Sequence, residues 1–70
     1  MMAIDGLARD IGAAVHRARG EAGLTQQQLG ELAGLSDRTI REIEKGSGSP
    51  GLSAVLSVIT VLGLTLTVTQ

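Results

Sequence analysis

At 70 residues the chain has room for one domain, and chains this short bury only about 60% of their unfolded surface. It has no cysteine, no aromatic residue and a single histidine, which excludes a disulfide framework, a zinc–thiolate or His-based metal site and an aromatic platform for single-stranded bases. Six basic against seven acidic residues exclude a polybasic coat, though not a local basic surface.

The 43% hydrophobic content argues against disorder, and pairing with another copy is the expected way to gain core. The start, Met1-Met2-Ala3-Ile4-Asp5, has neither a basic nor an apolar signal region. Met1 and Met2 are expected to be poorly ordered. The first helix is expected to follow Asp5 as N-cap, with Leu7, Ile11, Ala14, Val15, Ala18 and Ala22 as its buried face and Gly23 as its stop. Thr25 and Gln28 have the spacing of a capping box for a second helix, and Leu24 and Leu29 that of a hydrophobic staple. Leu29, Leu32 and Ala33 should face inward, and Gly34 should end this helix.

The device repeats in the third helix. Ser36 is the N-cap, Leu35 and Ile40 the staple, Ile40 and Ile43 the inward residues, and Gly46 the C-terminal stop. Residues 46–51 read as a loop. A fourth helix is expected from Leu52 to Leu62, with Leu52, Val55, Leu56, Ile59 and Leu62 as its stripe. After Gly63 the period drops to two, and Leu64, Leu66 and Val68 alternate with threonines. That predicts a strand over about 64–69. The chain offers it no partner, so the natural partner is the same strand of a second copy. Residues 51–70 carry no charge, but their serines, threonines and glycine and the change of period argue against a membrane span.

Residues 26–45 have the form helix, short glycine-containing turn, helix. Gly30 is small where the two helices must approach. Projected at about 100° per residue, the third helix puts Ile40 and Ile43 toward the core and Arg38, Arg41, Glu42 and Lys45 on the opposite side. Such a face can enter a DNA major groove, where arginine donates to guanine O6 and N7. Asp37 can accept from cytosine N4 or favour the helix dipole. Arg19 and Glu44 lie at the edges of the apolar faces of their helices. A charge near the core needs a partner, which predicts an Arg19–Glu44 bridge between the first and third helices.

These residues carry a resemblance. Ile11-Gly12, Val15 with Arg19, Gly23-Leu24-Thr25-Gln26, Leu29, Gly34-Leu35-Ser36, Thr39-Ile40, Ile43-Glu44-Lys45-Gly46, Pro50, Leu52 and Leu62-Gly63-Leu64 stand in the order and spacing of the Xre/Cro/λ-repressor-like helix-turn-helix family. The resemblance implies an all-α bundle of four helices in a single domain spanning 1–70, extended by the paired C-terminal strand. It implies Asp37, Arg38, Arg41 and Glu42 as base readers. Gln26, Gln27, Thr39, Lys45 and Ser47 would meet DNA phosphates, and the Arg19–Glu44 bridge would be structural. Glu42 fits least easily, because it repels phosphate unless it reads a cytosine. The tail looks like that of HipB-type antitoxins, which implies a homodimer on a palindromic operator, autorepression and a HipA-type kinase toxin as partner. A free-standing Xre-family or phage-type repressor, and a toxin-neutralising module with little DNA affinity, are the alternatives.

Other signals point elsewhere only weakly. Gly46-x-Gly48-x-x-Gly51 follows a helix rather than a strand and lacks the later acid of a dinucleotide site. His16 has no acid at helical spacing, with Gly12, Ala13, Arg19 and Gly20 at the neighbouring positions. It reads as a surface histidine. No enzyme activity, metal or cofactor is expected, and the location implied is cytoplasmic, on the nucleoid.

Overall fold

The computed structural model describes residues 4–69, and Met1 and Met2 lie outside them. These residues form four helices: α1 (Ile4–Glu21), α2 (Gln26–Ala33), α3 (Asp37–Lys45) and α4 (Leu52–Val61). α3 packs on both α1 and α2, and α2 also packs on α4.

The local chemistry sets the boundaries. Thr25 Oγ1 accepts from Gln28 N at 3.0 Å, and Gln28 Oε1 accepts from Thr25 N at 2.9 Å, which closes the capping box of α2. Ser36 Oγ accepts from Thr39 N at 3.1 Å and caps α3. Gly34 and Gly46 end α2 and α3 in the left-handed conformation. α1 begins at Ile4, so Asp5 lies inside its first turn rather than in front of it. Gly51 stands at the N-cap of α4 without a side-chain bond, and Leu62 is its C-cap, so the helix ends at Val61, one residue short of the expected Leu62.

Val15, Leu29, Ile40 and Val58 are completely buried, with Ile43 and Ile59 nearly so, and Ile11, Leu24, Ala33, Leu35, Val55, Leu62 and Leu64 pack around them. Burying one such aliphatic side chain stabilises the fold by about 1.5–3 kcal/mol. Leu24 and Leu35, the outer staple residues, pack against this cluster. Two glycines set how closely the helices approach. A Cβ on Gly12 would meet the backbone of Ile43 and lie 2.7 Å from Glu44 O, and one on Gly30 would lie 2.5 Å from Leu35 O. α1 thus rests on the last turn of α3, and α2 on the turn before α3.

Several expected core positions are not buried. Leu7 and Ala22 are exposed, Leu32 is 61% exposed, and Leu52 (67%) and Leu56 lie open on α4, while Val58 takes the inward place. α4 is apolar around nearly its whole circumference, so several stripes fit its sequence equally well. Leu32 borders a groove between α2 and α4 that no described element covers. The expected C-terminal strand is not formed either. Residues 64–69 have no regular structure, because a ladder needs a second strand and the described chain contains none. Leu64 packs against the core, while Leu66 and Val68 are exposed. No helix among the described residues is long and apolar enough to cross a membrane.

Candidate nucleic-acid interface

The outward side of α3 carries alternating charges that pair along the helix. Arg41 Nη1 donates to Asp37 Oδ2 at 3.0 Å, four residues apart, with both side chains half exposed. Lys45 Nζ lies 3.6 Å from Glu42 Oε2, three residues apart. Both spacings bring side chains together on one helix surface. Among the described residues Arg38 alone of the three cations of α3 has no ion-pair partner. It borders an open groove of about 240 Å³ with Thr39, Glu42, Ser49 and Pro50.

The candidate phosphate contacts lie around this helix. Gln27 is exposed at the start of α2. Thr39 Oγ1 lies 3.0 Å from Ser36 Oγ at the start of α3. Ser47 Oγ donates to Glu42 O at 3.3 Å and accepts from Ser49 N at 3.2 Å, which shapes the loop after α3. Gln26 differs from the others. It is partly buried, and its Nε2 donates to Glu44 Oε1 at 3.2 Å.

Glu44 of α3 gathers partners from α1 and α2. Arg19 Nε donates to Oε2 at 2.6 Å and Arg19 Nη2 to Oε1 at 3.1 Å, the paired geometry that suits guanidinium and carboxylate. Arg19 Nη1 also donates to Leu24 O at 2.8 Å and holds the α1–α2 turn. His16 Nδ1 lies 2.8 Å from Glu44 Oε1. The Glu44 side chain is only 6% exposed. Burial pushes its carboxyl up, but hydrogen bonds from Arg19, His16 and Gln26 and the charge of Arg19 outweigh this and hold it below its ordinary value. The hydrogen bond to Glu44 raises the already high Arg19 further, against its own desolvation.

His16 is therefore more than a surface histidine. Its ring is 66% exposed, yet it meets an acid. That acid comes from α3, 28 residues on, and a search at helical spacing along α1 cannot reach it. A signal was present all the same: His16 stands three residues before Arg19, on the same side of α1, and Arg19 was already paired with Glu44 on geometric grounds.

A helix-turn-helix with a charged, outward second helix defines the class of this fold. The comparisons give the family. The helix-turn-helix domain family matches residues 10–70, and the chain belongs to it. This agrees with the Xre-like pattern read from the residues. An uncharacterized HTH-type transcriptional regulator of Haemophilus influenzae is 37% identical over 51 residues, which are 73% of this chain and 52% of that protein. The crystal structure of the clp gene regulator ClgR from Corynebacterium glutamicum superposes with a TM-score of 0.74 at 29% identity, over 84% of this chain and 63% of that one. The chain thus spans about half the length of the curated relative it matches.

Proposed function

We propose that the chain is a sequence-specific DNA-binding transcriptional repressor that acts from the cytoplasm on the nucleoid. The observation that carries this reading is the outward face of α3. It presents Arg38 without an ion-pair partner and Arg41 held by Asp37, on a helix anchored from behind by Ile40, Ile43 and Glu44. An anchored helix with free guanidinium donors suits guanine in the major groove. Asp37, Arg38, Arg41 and Glu42 are the base readers in this reading. Gln26, Gln27, Thr39, Lys45 and Ser47 fix the register on the phosphates, which carry no sequence information themselves. The relatives named as transcriptional or gene regulators support the same class.

The finer reading is a HipB-like antitoxin. Two copies pair, their tails 64–69 form an antiparallel ladder through Leu64, Leu66 and Val68, and each inserts α3 into one half of a palindromic operator. Half-sites would lie about 34–36 Å apart or a multiple of that. A HipA-like kinase toxin is the implied partner, and the chain has no catalytic step of its own. The dimer is supported by apolar side chains left exposed: Leu32, Leu56 and Val61 along one groove of α2 and α4, and Leu66 and Val68 in the tail.

Fluorescence anisotropy on the DNA upstream of the gene, against a scrambled duplex at about 150 mM salt, tests the repressor reading, because loose electrostatic binding is suppressed there. A strong preference for the native duplex is expected. Equal, weak binding to both would overturn the reading in favour of protein recognition. Removal of residues 64–70 should give monomers by sedimentation equilibrium, and a tight dimer without the tail would remove the strand pairing.

A further inference from the structure

The Glu44 cluster joins a group the DNA-binding reading uses to one it does not. Gln26, at the start of α2, is a candidate phosphate contact, and its amide is held by Glu44 Oε1. His16 Nδ1 is held by the same oxygen atom. Two groups within hydrogen-bond reach of one oxygen are at most about 6 Å apart. A phosphate that meets Gln26 therefore comes close to the imidazole of His16.

The chemistry of the ring then follows. A carboxylate only accepts hydrogen bonds, so Nδ1 must carry a proton to bond Glu44. Nε2 lies on the other side of the ring. In the neutral ring Nε2 offers a lone pair, which repels a phosphate oxygen. In the imidazolium it offers a charged N–H, which attracts one. The charged groups around His16 are Glu44 of α3, at 2.8 Å, and Arg19 of its own helix, whose Nη2 lies 3.3 Å from Nδ1. They are of opposite sign, and Gln26 of α2 is neutral. The cluster therefore holds the ring in place.

We propose that His16 is a further DNA-backbone contact, set beside Gln26 by Glu44, and that DNA binding takes up a proton on its Nε2. The inference rests on the DNA-binding reading and on Gln26 lying at the backbone. Histidine is the side chain whose ordinary titration falls between pH 5 and 8, and Glu44 stays charged across that range because its carboxyl is held below its usual value. Repression would then tighten as pH falls toward 6.

The test is anisotropy of the full chain on the native upstream duplex and a scrambled one, at pH 6 and pH 8, with wild type and His16→Gln. Glutamine keeps a donor for Glu44 but cannot charge. Wild type should bind about three- to tenfold more tightly at pH 6, from one exposed charge contact in each of two copies. His16→Gln should show no such pH dependence. Its log Kd against log salt should be shallower than that of wild type at pH 6 by about one unit per copy. Circular dichroism and urea unfolding at both pH values confirm that the variant folds. The same pH dependence in both proteins, or none in wild type, would overturn the role of His16 alone. Failure of wild type to distinguish the two duplexes at either pH would overturn the DNA reading itself, and this inference with it.

Discussion

α3 and α4 each pack across the small core, and they differ in what they leave outside. α3 is held at close range. Gly12 lets α1 rest on its last turn, Gly30 lets α2 rest on the turn before it, and Glu44 ties it to Arg19, His16 and Gln26. Its outward side is charged and can remain in water. α4 is held only by shape, through Val55, Val58, Ile59 and Leu62, and on its outward side it leaves Leu52, Leu56 and Val61 exposed. There Leu32, Ala33, Leu56 and Val61 border an open groove with Ser53, Ser57 and Thr60. The hydroxyls of Ser57 and Thr60 already donate to Ser53 O and Leu56 O of their own helix. Covering that groove would strand neither donor. One side of the molecule is thus built to hold a helix still in water, and the other is left ready to be covered.

The most damaging change should be on the α3 side. In Gly12→Ala the new Cβ meets backbone carbonyls of Ile43 and Glu44 rather than side chains that can turn away. Overpacking of this kind costs about 3 kcal/mol or more, near the upper end for such changes. Urea unfolding should show it as a large fall in midpoint. A wild-type midpoint would mean that α1 and α3 are not in close contact, and the comparison would lose its basis.

Glu44→Gln should come next, at about 2–3 kcal/mol, because it leaves the mostly buried Arg19 guanidinium without its counter-charge. The pH dependence has a definite sign. The folded carboxyl titrates below its ordinary value of 4.5, so the unfolded chain binds the proton more readily. The stability contributed by Glu44 is complete above that value and is lost as pH falls toward the folded value. The gap between wild type and Glu44→Gln should therefore be full at pH 7 and close below about pH 4.5. A gap of constant size down to pH 3 would show that charge is not what Glu44 contributes.

The contrast also explains what was legible in the residues. Caps are local chemistry, so Thr25, Gln28, Ser36 and Gly46 announced the ends of α2 and α3. The Arg19–Glu44 bond was legible because two charges at the edges of apolar faces have few ways to be satisfied. The third-helix face was legible because Ile40 and Ile43 fix its rotation unambiguously. α4 is marked less sharply. Ser53, Ser57 and Thr60 form one polar strip, but apolar residues fill the rest of the circumference, so periodicity alone does not say which of them face the core. Leu52 and Leu56 read as inward for this reason. The His16 contact escaped because its acid is distant in sequence and near only once α1 and α3 have packed.

The α4 side gives a test of opposite character. Leu56→Ser and Leu32→Gln remove apolar side chains that the single chain leaves open, so thermal stability at low protein concentration should change by no more than about 0.5 kcal/mol. Self-association should weaken sharply if the groove is covered by a second copy. Sedimentation equilibrium of each variant beside wild type reads this directly. Unchanged association would leave the tail 64–69 as the sole carrier of the dimer.

A change of opposite sign separates the two uses of glycine in α1. Gly12 and Gly20 stand two turns apart in the same helix, yet nothing lies within 4 Å of a Cβ built on Gly20. Only the backbone matters there, and alanine in an exposed helix is favoured over glycine by about 0.5–1 kcal/mol. Gly20→Ala should therefore stabilise the chain by about that amount, while the same exchange at Gly12 destabilises it. Equal changes at the two positions would mean that propensity alone decides both. Opposite signs would show that the glycine of α1 that matters is the one beneath the last turn of α3, because it lets α3 sit close enough for Arg19 to reach Glu44.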